Sequence, residues 1–565
     1  MDIAIVGSGP AAEAVEAACT DLDASVSTVQ PDAIDGYAAA VVIAPCGSDA
    51  FARAAGTGVR PWLSVEVGGV GGRPLDGLDA AVAAYTDGSA GYRDLEARVA
   101  STVEDVDVAD APRGDRSAVR LAGAVAGRRL VRLLGGADLG GTVVEVPGSE
   151  RVFLPVPNGS RERGLRREHR AVDLETALDR AERAVDDRVG LVTQVGEQES
   201  FPVPYYVAAL ADTTAYSDAR AAAFGGGVDA DWNPAFMKAL GEALERYSAG
   251  VYRESEFVTA PEADRPNAVG PSAFVRPDGF PDPDPDEPIR WVRGEAVATG
   301  EAVELPAEFV HYPPPDARYR PAITTGLGLG NSGVEALLSG LYEVLERDAT
   351  MLAWYSTFDP LELAVDDDGF DRLVARARAE QLSVTPLLVT GDVDVPVVAA
   401  AVHREGDWPR FAVGSGADLD PAAAARAALA EALQNWTELR SIGPERAEGE
   451  EGAIGRYADF PEAARSFVDA GATVAAGDVG PDQVPTGSAE LSAVVERAVE
   501  AGLAPYASRL TPRDVDALGF EAVRVLVPTA QPLFVDDPFF GERAERVPRD
   551  LGFEPRLDRP FHPYP

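Results

Sequence analysis

Gly-Glu-Ala-Leu-Glu-Arg at 241–246 is echoed by Tyr-Glu-Val-Leu-Glu-Arg at 342–347. Each copy offers two carboxylates and a guanidinium at helical spacing. Carboxylates gathered without matching cations are electrostatically costly unless a hard cation neutralises them, and Mg2+ usually bridges carboxylates to substrate phosphates. An arginine beside each pair suits a phosphate, so the repeat points to a metal-nucleotide site. The plainer reading is a solvated face, because Lys238–Glu242 and Glu242–Arg246 are i,i+4 pairs worth roughly 0.2–0.5 kcal/mol each on any exposed helix. One such helix alone favours that plainer reading; two of them favour the site.

At 100° per residue, Lys238, Glu242, Glu245 and Arg246 share one arc of the first helix, opposite Phe236, Leu240, Ala243, Leu244 and Tyr247. Asn233 is a suitable cap, with Pro234 in the first turn. On the second helix Asn331, Glu335, Glu343, Glu346 and Arg347 lie on one side, and Leu337, Leu338, Leu341, Val344 and Leu345 on the other. Ser332-Gly-Val-Glu335 has the form of a capping box.

The segments Phe224-Gly-Gly-Gly-Val228 through Lys238-Ala-Leu-Gly-Glu-Ala-Leu-Glu-Arg-Tyr-Ser248, and Thr324-Thr-Gly-Leu-Gly-Leu-Gly-Asn-Ser-Gly-Val-Glu335 through Tyr342-Glu-Val-Leu-Glu-Arg-Asp348, resemble the two ATP-binding signatures of the YcaO family. Val413-Gly-Ser-Gly-Ala-Asp-Leu-Asp-Pro421 through Arg426 to Gln434 resembles a third, weaker one; Asp420-Pro421 also reads as an ordinary helix start and Ala424 to Leu433 as an alanine-rich core stripe. The resemblance implies ATP and Mg2+ as cofactors, phosphorylation of a peptide's backbone amide oxygen, and Glu242, Glu245, Glu335, Glu343 and Glu346 as Mg2+ ligands. It further implies Asn331, Glu335 and Arg347 at the nucleotide, Arg347 and Arg426 at the reacting phosphate, and catalysis by positioning and charge neutralisation. Where relatives often show Gly-Lys-Gly, this chain has Gly225-Gly226-Gly227. Either a backbone nest around Gly226 replaces the lysine, or that phosphate contact is missing.

The chain has 565 residues, a formal net charge of −43 and a single lysine, Lys238, so nearly all of its 50 cationic residues are arginine. This acidic, lysine-poor surface resembles proteins of a high-salt, haloarchaeal cytoplasm; attraction of a basic partner is the alternative. A nucleic-acid partner is excluded by the lack of a basic stripe. Cys19 and Cys46 are too few for a disulfide framework, the N-terminus lacks a basic signal region, and no apolar run reaches membrane-spanning length, so a cytoplasmic protein is expected. His169, His311, His403 and His562 have no ligand spacing, and His562 stays open as a functional residue.

Ile3-Ala-Ile-Val6, Gly7-Ser-Gly9 and the following alanines read as strand, glycine turn and helix, the start of a Rossmann-like unit. A structural glycine turn is the default there, since Ser25 to Val29 ends in Gln30 where a dinucleotide site wants an acid. Pro61 to Gly72 resembles the ThiF-like partner domains of thiazole/oxazole peptide-modifying systems, with Gly91 to Asp94 and Pro157 to Ser160 where relatives carry zinc cysteines, so no zinc is expected. Ala118 to Leu134 predicts a basic helix, Gly141 to Val156 a hairpin, 158–170 an arginine-rich linker, Leu174 to Val189 a helix and Pro277 to Glu287 a loop. The fold class expected is α/β (α+β): a degenerate ThiF-like, Rossmann-like recruiting domain over 1–157, a connection over 158–184, and a YcaO-type ATP domain over 185–565.

The resemblance implies cyclodehydration of Cys, Ser or Thr to azolines in a ribosomal peptide, with thioamide formation or a non-catalytic peptide-binding scaffold as alternatives. The expected partners are a precursor peptide, maturation proteins and a second copy of the chain. The segment Arg559-Pro-Phe-His-Pro-Tyr-Pro565 resembles the proline-rich tail that enters the active site of cyclising members, which would make Pro565 a catalytic residue; fraying is the plainer outcome.

Overall fold

The computed structural model describes residues 1–565 apart from 21, 23, 104–112, 158–161 and 448–452. Two compact units emerge. The first comprises Met1–Gly159 with Glu182–Gln194 and Leu210–Ala223; the second comprises Ser160–Ala181, Val195–Ala209 and Phe224–Pro565.

In the first unit, Ser25–Thr28, Asp2–Val6, Ala39–Pro45 and Trp62–Val67 are parallel neighbours, and Ala80–Tyr85, Thr142–Val146 and Glu150–Val152 extend the sheet antiparallel. Near-continuous apolar strands such as Ala39-Ala-Val-Val-Ile43 require cover on both faces. Helices Pro10–Cys19 and Arg116–Leu134 pack on Ile3, Ile5, Val41 and Val65, while Asp49–Gly56 and Tyr92–Ala100 pack on Ala4, Val42, Trp62 and Tyr85. The glycine turn is structural: Gly7 has φ +106°, and a Cβ there would stand 2.3 Å from the Ile43 carbonyl oxygen. Beyond the second strand Asp32 pairs with Arg53, so its carboxylate is committed. In the Pro61–Gly72 stretch, buried Glu66 accepts the Gly71 and Gly72 N–H groups at 3.0 and 2.8 Å and is reached by the Cys46 thiol at 3.3 Å.

The second unit holds two larger sheets, the first antiparallel throughout and the second mixed. One runs Val258–Pro261, Pro288–Ala296, Tyr506–Arg509, Glu521–Leu526, Leu327–Gly330; the other runs Phe411–Ala417, Val397–His403, Ser383–Leu388, Leu361–Ala364, Thr473–Ala475. The expected helix over 174–189 is shorter, Leu174–Glu182, because the backbone turns at 183–186 to form the Val185–Val192 bridge. The arginine-rich stretch is described only from 162 onward, and 158–160 of the stretch compared with zinc ligands also lie outside the described residues. From 162 the stretch is pinned rather than a free linker. Arg163 pairs with Glu256 at 3.1 Å and Arg166 with Asp516 and Glu521, both at 2.7 Å. The 277–287 loop has no helix or strand, as expected from its proline and aspartate content.

The surface charge carries a direct expectation. Diluting salt lengthens the Debye distance from roughly 3 Å at 1 M to roughly 10 Å at 0.1 M, which unmasks repulsion among the excess carboxylates. The melting temperature is therefore expected to fall steadily below about 0.5 M salt in a scanning fluorimetry series. A melting point indifferent to salt would instead favour an acidic face made for a basic partner.

Candidate active site

Three times the second unit runs a glycine-bearing strand into a long helix: Phe224–Val228 into Trp232–Gly250, Leu327–Gly330 into Gly333–Trp354, and Phe411–Ala417 into Pro421–Ile442. Each time an amide at the strand donates to a helix carboxylate: Gly226 to Glu242 Oε2 at 2.7 Å, Gly326 to Glu343 Oε2 at 2.9 Å, Ser415 to Glu431 Oε2 at 2.6 Å. Such bonds require backbone to approach backbone. A Cβ on Gly225 would lie 2.4 Å from the Ala243 nitrogen, and one on Gly328 2.2 Å from the Ala336 oxygen. The glycines therefore permit the contact that aims the glutamates.

The run Gly225–Gly227 is extended strand, paired antiparallel with Tyr206 to Ala208, and none of the three has a positive φ. The expected nest is corrected on that ground: a nest needs a left-handed residue, and the helix packing demands a strand. Gly226 spends its N–H on Glu242 and so aims that carboxylate. The first helix begins at Trp232 with Asp231 at its cap position, two residues ahead of the expected Asn233 cap. Lys238 pairs with Asp229 at 2.7 Å and leaves Glu242 to Arg246, at 3.0 Å.

The first helix also packs on the second glycine strand and the second helix on the third, so the carboxylates fall into two adjoining seams. In one, Glu245 lies 4.0 Å from Arg246 and within the field of Glu343 and Glu242. In the other, Glu346 accepts the Ser415 hydroxyl at 2.6 Å, and Arg347 stands 3.8 Å from both Glu346 and Glu431. The second helix is locked in place by Asp348, which accepts from the Gln531 amide at 2.7 Å and from Arg543 Nη2 at 2.6 Å. Ser332 caps it, accepting the Glu335 N–H, while Glu335 takes the Asn331 N–H at 2.8 Å instead of closing on the cap residue itself. Glu335 thus stands at the head of the helix, eight residues or roughly 12 Å of rise before Glu343.

Burial pushes the Glu245 carboxyl up to about 8, with repulsion from Glu343 and Glu242 opposing the relief given by Arg246. Glu346 and Glu431 are raised as well, first by burial and then by neighbouring carboxylates, against the pull of Arg347. Such charge is under-compensated by the protein's own cations, and a divalent ion would complete it. Among the described residues no three His, Cys, Asp or Glu side chains converge to cage an ion by themselves. A groove of single carboxylates suits Mg2+ that brings phosphate oxygens with it. The phosphate side is present too: Arg246 Nη1 and Arg347 Nη1 are buried donors with no hydrogen-bond partner, while the buried Asn331 Oδ1 is an unpartnered acceptor that suits a cation or a donor group. The residues fit an ATP–Mg2+ pair.

Arg426 lies elsewhere in the electrostatic map. Asp367 holds it at 2.6 Å and Asp420 stands 3.8 Å away, and none of the groove glutamates pairs with it. The segment Arg559–Pro565 is folded onto the second unit instead of fraying: Trp354 Nε1 donates to the Pro560 carbonyl at 2.9 Å, and the His562 ring meets the Phe534 carbonyl at 2.7 Å. Tyr564 is fully buried and within the field of Arg347, Glu346 and Glu431, while Pro565 is exposed. His562, also buried, has its pKa lowered to about 4 by that burial, which keeps it neutral.

A pH dependence follows. A carboxyl that keeps its proton to about pH 8 must release it to bind a metal. Mg2+ affinity is therefore expected to rise about tenfold or more between roughly pH 6 and about pH 8.5, with protons released on binding. Calorimetry in two buffers of different ionisation enthalpy reads both. A flat affinity with no proton release would contradict the buried-carboxylate geometry.

The profile described as YcaO cyclodehydratase, ATP- and Mg2+-binding, matches residues 226–531, more than half of the sequence and all three strand-helix pairs. The chain belongs to the YcaO family. An uncharacterized protein of Methanothermobacter thermautotrophicus is 32% identical over 207 residues, 35% of this chain and 53% of that protein, so the chain spans about half the length of this curated relative. Among solved structures, a heterocyclase in complex with substrate and cofactor superimposes with a TM-score of 0.74 at 20% identity, covering 100% of this chain and 84% of that one. The YcaO protein of Methanopyrus kandleri bound with AMPPCP and Mg2+ gives a TM-score of 0.52 at 26% identity, covering 66% of this chain and 94% of that one. The likeness to the heterocyclase concerns the fold, an N-terminal α/β region preceding a YcaO domain.

Glu431 lies in the third, weaker signature but was not singled out as a ligand, because its helix also reads as an alanine-rich core stripe. A signal was available: its spacing from Ser415, sixteen residues, matches Gly226 to Glu242 and is one short of Gly326 to Glu343.

Proposed function

We propose that this YcaO protein activates backbone amides of a peptide at the expense of ATP, and that the outcome is cyclodehydration of Cys, Ser or Thr to azolines. The observation that carries this is the three-fold tethering of Glu242, Glu343 and Glu431, with Glu245, Glu346 and Arg347 in the seams between them. Glu242, Glu245, Glu343, Glu346 and Glu431 would hold Mg2+, with Glu335 and Asn331 toward the head of the groove. ATP with Mg2+ supplies the phosphoryl group that turns the amide oxygen into a leaving group. The chain's own part is electrostatic and positional. Arg347, clamped between Glu346 and Glu431, presents its free Nη1 toward an oxyanion. The tethered carboxylates are pre-aimed, so little reorganisation accompanies binding. In the net reaction the side-chain sulfur or oxygen bonds to the amide carbon, the carbon–oxygen bond breaks, and the former amide oxygen departs on phosphate with loss of two protons.

Azoline formation is favoured over thioamide formation by the Arg559–Pro565 segment, which brings Tyr564 into the field of Arg347 and needs no external sulfur donor. The precursor peptide and any maturation proteins are the partners, and the first unit is assigned, as a ThiF-like domain, to recruiting them. Among the described residues no helix is long and apolar enough to cross a membrane. The test is ATP hydrolysis in molar salt with and without a short Cys- or Ser-rich peptide encoded beside the gene, followed by mass spectrometry of that peptide. Stimulated hydrolysis with loss of water from the peptide supports the reading. Absence of hydrolysis under all conditions would leave the scaffold reading in its place.

A further inference from the structure

Beside the glutamate groove stands a cation without a counter-ion. Arg320 follows the short helix Ala307–Val310, and its guanidinium carbon lies 4.2 Å above the Phe309 ring and 5.5 Å from that of Phe274. Among the described residues no carboxylate comes within ion-pair distance of it; Glu308 is the carboxylate whose field reaches it. In a chain of net charge −43 an inward-held arginine left unpaired is costly, because burial penalises the charged form and only an anion repays it. Ring stacking fixes the guanidinium plane and leaves its donor edge free.

Arg320 and Arg347 line one small, open recess together with Thr325, Val344, Val525 and Gln531. Gln531 is occupied by the Pro532 and Phe539 carbonyls and the Gly541 amide, and no carboxylate lines the recess. Arg524 spends both Nη groups on the Ile323 and Thr324 carbonyls, at 2.9 and 2.7 Å, and so fixes the chain between Arg320 and Gly326. The Arg320 fork and the unpartnered Nη1 of Arg347 border a small, largely apolar recess that adjoins the proposed metal groove through Arg347, a donor set that matches a tetrahedral oxyanion.

We propose that Arg320 and Arg347 together form a binding site for inorganic phosphate, the recess holding the ion as it leaves the metal groove. The source of the phosphate rests on the proposed amide activation; the binding itself does not. The probe is inorganic phosphate titrated calorimetrically into the full chain without nucleotide, beside an acetate titration. Wild type is expected to bind phosphate at least about tenfold more tightly than acetate, and Arg320→Met to lose at least about tenfold of that affinity, with Arg320→Lys intermediate because the charge stays and the fork is lost. In turnover, the inhibition constant for added phosphate should rise by a similar factor in Arg320→Met. If Arg320→Met does not fold, Arg320→Lys decides alone by a severalfold loss. Equal phosphate affinity in the variants, or no preference over acetate in the wild type, overturns the site. A protein that binds phosphate through Arg320 yet never hydrolyses ATP would sustain the site and refute amide activation.

Discussion

Replacing Glu346 by glutamine is expected to lower ATP turnover by about 10²–10³-fold while the melting temperature holds or rises. Glu346 is largely buried, accepts the Ser415 hydroxyl, and stands among Glu343, Glu431 and Arg347. Glutamine keeps the volume and the hydrogen bond, so no cavity opens and the packing of Leu345 and Val344 is untouched. What goes is one negative charge in a place where burial and neighbouring carboxylates already disfavour it. For the ligand-free fold that removal is neutral or stabilising. For a bound Mg2+ it removes a ligand, and transition-state charge stabilisation of about 3–4 kcal/mol is the scale at stake. Glu343→Gln should behave alike, since its carboxylate is the one shared by both seams. Steady-state hydrolysis and thermal melts read the two quantities separately. Wild-type turnover in both variants would show that the glutamates merely solvate their helices.

The second large effect concerns the far end of the chain. Removing Pro563–Pro565 is expected to suppress azoline formation by about a hundredfold, with much smaller changes in peptide binding and basal ATP hydrolysis. Arg559 reaches the Trp354 carbonyl at 2.7 Å, Tyr457 holds the Phe561 carbonyl, and the ring of His562 packs against Phe534. These contacts precede the deletion and survive it, so the segment stays anchored while Tyr564 is withdrawn from beside Arg347. The loss of one buried aromatic costs stability of about 3–5 kcal/mol at most, which a melt will register. Unchanged azoline formation in a folded truncation would remove the reason for preferring azolines to thioamides.

How much of this was legible beforehand depended on whether the pattern was carried by one element or by two. The faces of both glutamate helices follow from 3.6-residue periodicity alone, and the observed helices Trp232–Gly250 and Gly333–Trp354 turn their leucines inward as expected. The doubly covered sheet of the first unit was legible in its apolar strands. The glycine run at 225–227 was not, because three successive glycines read locally as a turn, and only the helix crossing behind them explains why they form a strand. Glu431 was hidden for the same reason: its partner amide is sixteen residues away, a distance that no single-helix pattern examines. The expected helix beyond Glu182 was lost to a tertiary contact, the Val185–Val192 bridge. Arg426, expected at the reacting phosphate, is paired with Asp367, a partner distant in sequence that no single-helix pattern reveals.

The central claim is that the amide oxygen of a peptide becomes the leaving group through phosphorylation. A peptide carrying 18O in the backbone amide preceding its Cys or Ser tests this directly, with mass spectrometry of the inorganic phosphate released. The account predicts that each ring formed delivers its 18O to phosphate. Phosphate free of label alongside a modified peptide, or ATP hydrolysis with the label retained in an unmodified amide, would contradict it.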